Sequence, residues 1–211
     1  MALLENTNKI LHISELGRHA VEMGARPMFE KCSAYIVGVT ERQNASLAAL
    51  AHKVGFASVV DALHQERRFA GSSSQGINYF FLHYKVDDFA KKSVINTIRA
   101  SDSAAVRFAP IVLIIDDCPF ETVLSYVQFG FDDVISLPEK ADVMAQRLAG
   151  QLNMSHLYIE TADYLGPDRR RMERSIDRHE MRGKGERSHI RYLIRRNPDA
   201  GIEILQKMLC S

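Results

Sequence analysis

Residues 110–116 read Pro-Ile-Val-Leu-Ile-Ile-Asp, and residues 35–39 read Tyr-Ile-Val-Gly-Val. Neither run alternates apolar with polar side chains. A strand with one wet face alternates, so continuous runs suit strands covered on both faces, as in a parallel sheet flanked by helices. Further apolar runs at 57–63, 77–86 and 132–138 are separated by stretches of helical spacing at 45–55, 91–101 and 119–130, and a last one follows from Glu139. Strand and helix patterns taken in turn predict an α/β fold with five strands and five helices.

A chain of 211 residues holds one full domain with additions. Patchy helical spacing over 1–32, broken by Gly24-Ala25-Arg26-Pro27, predicts a helical N-terminal segment; the α/β body then spans 33–152 and an extension spans 153–211. With 46% hydrophobic and 25% charged residues the composition is that of a soluble globular protein. No apolar run approaches a membrane span, and Glu5 and Asn6 interrupt the opening apolar residues before a secretion signal could form. Cys32, Cys118 and Cys210 are far apart, with no CxxC and no histidine at metal-ligand spacing. Those features predict a cytoplasmic protein with no membrane insertion, no metal and no cofactor. The glycine-serine stretch 70–76 lacks the Lys-Ser/Thr of a phosphate loop and reads as a connection.

The element order, together with Pro110 opening a strand, Gly130 closing a helix, the pair Asp132-Asp133 and Pro138 after the next strand, resembles a response-regulator receiver domain of the CheY-like kind. The resemblance covers roughly 33–152. It implies a flavodoxin-like sheet in the order 2-1-3-4-5, with the functional face at the carboxyl ends of the strands. Receivers phosphorylate an aspartate at the end of the third strand, aided by a Mg²⁺-holding acidic pair, a hydroxyl ending the fourth strand and a lysine before the proline after the fifth. This sequence departs from that set. His83 falls where the acceptor belongs, with Asp87 and Asp88 too late; Thr40 and Glu41 supply one carboxylate; the fourth strand ends Ile115-Asp116; Leu137 precedes Pro138. The resemblance therefore implies a non-phosphorylatable pseudoreceiver with no catalytic residue. A lone histidine such as His83 is more simply a rim residue than a metal ligand or phosphohistidine, and the pairs Asp116-Asp117 and Asp132-Asp133 read as loop and turn residues.

The positive charge of the chain is concentrated. Between Pro167 and Arg196 eleven Lys or Arg stand against five Asp or Glu, a balance of +6 in a chain whose net charge is +1. Gly166-Pro167-Asp168 reads as a helix start, after which Arg170, Arg174, Arg178 and Arg182 recur every four residues and predict a cationic helical stripe. Met172, Ile176 and His179 would dock that helix. A second basic piece, Arg187, Arg191, Arg195 and Arg196, has Ile190, Leu193 and Ile194 as its apolar side. Asn197-Pro198-Asp199 then reads as the start of a last amphipathic helix burying Ile202, Leu205, Met208 and Leu209. The whole extension is thus expected to be helical.

Glu173, Asp177 and Glu180 can pair with some of these arginines at i+3 spacing, at about 0.2–0.5 kcal/mol each. Three acids do not neutralise the segment, and arginine outnumbers lysine in it ten to one, which favours bidentate contacts to phosphate or carboxylate. Arg169, Arg170 and Arg174 have RRxxxR-like spacing, similar to the arginine motif by which PilZ domains hold c-di-GMP, although the Asp-x-Ser-x-x-Gly strand of that family is absent. The expected ligand-binding residues are Arg169, Arg170, Arg171, Arg174 and Arg178. The expected partner is a cyclic dinucleotide or another phosphate-bearing ligand, beside a protein partner in a signalling pathway. A pure adaptor without a small ligand, a nucleic-acid-binding regulator and a homodimer are the alternatives, and none of these readings is an enzyme.

Overall fold

The computed structural model describes residues 28–61, 76–168 and 188–210. The N-terminal helical segment expected over 1–32, apart from a turn at 28–31 and Cys32 itself, lies outside these residues, as does the connection 62–75. Five parallel strands, β1 (Cys32–Val37), β2 (Ser58–Asp61), β3 (Ile77–His83), β4 (Ile111–Asp116) and β5 (Asp133–Leu137), form one sheet in the order β2-β1-β3-β4-β5. Its helices are α1 (Glu41–Val54), α2 (Asp88–Arg99), the single turn α3 (Ala104–Arg107), α4 (Phe120–Phe129) and α5 (Ala141–Ala149).

The unalternating runs do have two covered faces. On β4, Val112 and Ile114 join Ala51, Met144 and Leu148 beneath α1 and α5, whereas Ile111, Leu113 and Ile115 join Ile95, Ile98 and Val106 on the other side. Helix α1 starts where it does because Thr40 Oγ1 accepts the Gln43 N–H while the Gln43 side chain returns to the Thr40 N–H, a reciprocal cap. It stops at Gly55, whose φ of 114° is open to glycine at little cost.

The described parts of the extension, 153–168 and 188–210, are not helical. Residues 153–210 carry β6 (Ser155–Glu160), β7 (Leu165–Pro167), β8 (His189–Asn197) and β9 (Gly201–Cys210), an antiparallel sheet in the order β7-β6-β8-β9. Gly166 and Pro167 pair with β6 as strand residues, not as the first turn of a helix, and Asp168 donates its N–H to Leu157 O. On β8 the inward residues are Tyr192, Ile194 and Arg196, at strand period, with the half-buried Ile190 in line; Ile190 and Ile194 also satisfy i, i+4, which is why the segment reads as helical. On β9 a bulge opposite Leu193 and Ile194 shifts the register by one residue, so the alternation breaks at Leu205. Instead of being a buried edge, Leu205, Met208 and Leu209 are exposed, and only Ile202 packs inward. The expected helix start at Asn197 is the corner of a hairpin: its Oδ1 accepts the N–H groups of Asp199 (2.8 Å) and Ala200 (3.3 Å), and Gly201 takes φ 84°.

This second sheet caps the amino-terminal end of the parallel one. Phe108, just before β4, meets Tyr158 edge-on at 5.5 Å and joins Leu165, Tyr192 and Ile194 in a separate apolar cluster. Between the sheets lies a buried charge network centred on Asp132. Its Oδ2 accepts from Arg99 (2.6 Å) and from the Ile111 N–H (2.8 Å); its Oδ1 accepts from Arg196 (2.7 Å) and from the Tyr158 hydroxyl. Arg196, wholly buried, also donates to Phe108 O at 2.9 Å and Gln151 Oε1 at 2.6 Å. Asp132 lies in the bend before β5, as expected, but its carboxylate is buried at the hub of this network, and Arg196 is no outward-facing cation. A flanking triad, Arg107 paired with Glu160 and the Tyr192 hydroxyl donating to Glu160 at 2.6 Å, closes the seam.

Candidate functional site at the carboxyl ends of the strands

The amino end is capped, and among the described residues no second sheet covers the opposite end of the parallel one. There Thr40, Arg42, Gln43, Ser46, His83, Tyr84, Lys85 and Asp116 line a cleft of about 380 Å³. Parallel strands bring their carboxyl ends together, so loops far apart in sequence converge on it.

His83 ends β3, half-buried, its ring stacked on Tyr84 at 4.8 Å and its Nδ1 accepting the Lys85 N–H at 3.2 Å. Burial lowers its pKa against the opposing pull of Asp116, with a smaller lowering from Lys85, so the neutral imidazole is favoured. Asp116 ends β4 and accepts a hydrogen bond from the Tyr84 hydroxyl, which raises the pKa of that tyrosine; the Ser136 hydroxyl donates to the Asp116 carbonyl at 3.3 Å. Asp87 and Asp88 are helix-start residues: Asp87 Oδ1 accepts the Ala90 N–H at 2.9 Å, and Asp88 pairs with the buried Lys91 at 2.8 Å. Thr40 caps α1 and Glu41 occupies its first turn. Gly38 and Val39 follow β1 directly, Asp116 is already engaged by Tyr84, and Leu137 ends β5 ahead of Pro138. A hard divalent cation needs several converging oxygen ligands; among the described residues no three His, Cys, Asp or Glu side chains converge.

The arginines expected to hold an anionic ligand, Arg169, Arg170, Arg171, Arg174 and Arg178, and Arg182 beyond them, lie outside the described residues, as do Met172, Ile176, His179 and Arg187. Of the second basic piece, Arg191, Arg195 and Arg196 are brought together only as residues of one strand: Arg195 is exposed and Arg196 is buried. Sequence reasoning missed Tyr84 and the seam residues Arg99 and Tyr158. Period-2 spacing of Ile190, Tyr192, Ile194 and Arg196 was the available signal for a strand with an inward arginine.

The strand order and the helices on both faces make the five-stranded unit a flavodoxin-like α/β domain, to which the antiparallel sheet is an addition. No family model matches the sequence, and no curated protein matches it. Among solved structures it is similar to a protein assigned as a response regulator from Chloroflexus aurantiacus J-10-fl, at 11% identity and a TM-score of 0.41, over 56% of this chain and 94% of that one. It is also similar to the signal receiver domain of a signal transduction histidine kinase from Syntrophus aciditrophicus, at 18% identity and a TM-score of 0.38, over 56% and 89% of the two chains.

Proposed function

We propose that this is a signalling protein of the response-regulator type whose receiver-like unit takes no phosphate and serves as an interaction platform, while the arginine-rich run 169–182 binds a phosphate-bearing ligand such as c-di-GMP. The observation that carries the first half is the end of β3. His83 stands there with a nitrogen already used by the Lys85 N–H, and the nearest carboxylate across the cleft, that of Asp116, is taken by the Tyr84 hydroxyl. A phosphoryl acceptor needs a free carboxylate with charge-balancing groups around it. Incubation with acetyl phosphate and Mg²⁺ should leave the intact mass unchanged. A stoichiometric mass gain that disappears on replacing Asp87, Asp88 or Asp116 would overturn the reading.

The second half rests on the charge and spacing of the segment alone. Titration with c-di-GMP should saturate, and Arg170→Ala or Arg174→Ala should each cost about 1.5–3 kcal/mol, the range for hydrogen bonds to charged groups. Arg170→Lys is the sharper probe, because it keeps the charge and removes the planar fork. Unsaturable binding that is indifferent to Arg170→Lys would reduce the run to a solvated surface. Saturable binding to a generic duplex, with a steep loss as salt rises, would favour nucleic acid instead.

A further inference from the structure

Large apolar side chains exposed at one end of a sheet call for a reason, because a monomer rarely shows them together. Among the described residues three stand at the carboxyl end of the parallel sheet: Val39 after β1 (57% exposed), Phe89 in the first turn of α2 after β3 (86%) and Phe120 in the first turn of α4 after β4 (66%). Strands β1, β3 and β4 are consecutive in the sheet, so at about 4.8 Å per strand the three loops rise side by side. Helices α2 and α4 also touch, with the Lys91 ammonium 4.8 Å from the ring centre of Tyr126 and that of Lys92 5.5 Å from the ring centre of Phe129.

The charge around these side chains is mostly negative. The same loops and first helical turns expose six carboxylates, Glu41, Asp87, Asp88, Asp116, Asp117 and Glu121, against two cations, Arg42 and Lys85. Helix-start electrostatics accounts for Asp87 and Asp88, which cap α2 and pair with Lys91. It does not account for a phenylalanine left 86% exposed in the same turn. We infer that this face docks a protein segment that combines aromatic or aliphatic side chains with arginine or lysine, the apolar groups covering Phe89 and Phe120 and the cations meeting the carboxylates around them. The inference rests on the platform reading above and names the chemistry of the partner. Apolar anchors ringed by charge supply affinity at the centre and orientation at the rim.

The probe is a random peptide library panned on the full-length protein, with a Phe89→Ser/Phe120→Ser variant as the counter-screen. Both side chains are exposed, so the variant should melt with the parent. Peptides retained by the parent should be rich in Arg or Lys beside apolar residues, and the variant should bind them at least about tenfold more weakly, the size of effect expected from removing interface anchors. Asp117→Lys/Glu121→Lys should weaken the same peptides, while Glu203→Lys, on the distant β9, should not. Peptides that need the two phenylalanines but carry acidic residues would overturn the partner chemistry and leave the platform standing. Peptides indifferent to both double variants, none retained at all, or a parent that occupies the face with a second copy and loses that self-association in the Phe89→Ser/Phe120→Ser variant, would overturn the inference.

Discussion

Arg196→Ala unfolds at a much lower urea concentration than the parent, with a loss of about 3–5 kcal/mol, the cost of breaking a buried pair and stranding its partner. The side chain is wholly buried and donates to Phe108 O, Gln151 Oε1, Asp132 Oδ1 and the Tyr158 hydroxyl. Alanine would leave all four acceptors short of a donor and Asp132 with one guanidinium in place of two. Arg196→Lys keeps the charge but offers a single ammonium for acceptors spread around a planar fork, so it should recover only part of the loss. The internal control is the neighbouring residue: Arg195 is exposed and faces Glu203 across the hairpin, and Arg195→Ala should stay within about 0.5 kcal/mol of the parent. Equal effects at 195 and 196, read from denaturant midpoints at constant m-value, would mean that the seam is not where the second sheet is held.

The second large effect is a pH dependence that His156 confers. Its Nε2 lies 3.1 Å from Gln151 O. Burial, then the nearby Arg196, lowers its pKa from the ordinary 6.5 to about 4, against the opposing effects of Asp132 and the Gln151 carbonyl. The folded state thus keeps the ring neutral while the unfolded chain protonates it from pH 6.5 downward. Stability linked to this group is fully present above pH 6.5, is lost as pH falls toward 4, and changes no further below that. The loss amounts to about 3 kcal/mol, at 1.36 kcal/mol per pKa unit. His156→Gln should flatten the stability profile between pH 6.5 and 4 as measured by urea titrations at several pH values. A profile with the same slope in the variant would assign the dependence to another group. Asp132 acts in a lower window: burial opposes its ionisation, but Arg99, Arg196, the Tyr158 hydroxyl and the Ile111 N–H hold its pKa below 3.8, so its contribution is lost only in stronger acid.

Much of the α/β unit was legible because its strands are covered on both faces. Runs such as Ile111–Ile115 have no polar interruption, so their character does not depend on knowing which side faces what. The strand order 2-1-3-4-5 followed from the resemblance and is the order found. The cleft at the carboxyl end was half legible. His83 and Asp116 could be placed at strand ends, but their engagement by Lys85 and Tyr84 depends on loops meeting in space.

The sequence alone determined the alternation of strands and helices and the concentration of positive charge after Pro167, because each is a matter of local spacing or composition. Only the tertiary structure decided what the extension became. Ile190 and Ile194 fit a helix and a strand equally well, and on β9 a bulge breaks the alternation at Leu205 that would have marked the last segment as a strand. Asn197 can cap a helix or turn a hairpin, and its pairing with Gly201 as β9 returns along β8 settles which. Arg196 reads as one more surface cation until Asp132, 64 residues earlier in the chain, is brought to within 2.7 Å of it. A buried charge is tolerated only with its counter-charge in place, and long-range folding supplies that partner where local sequence cannot.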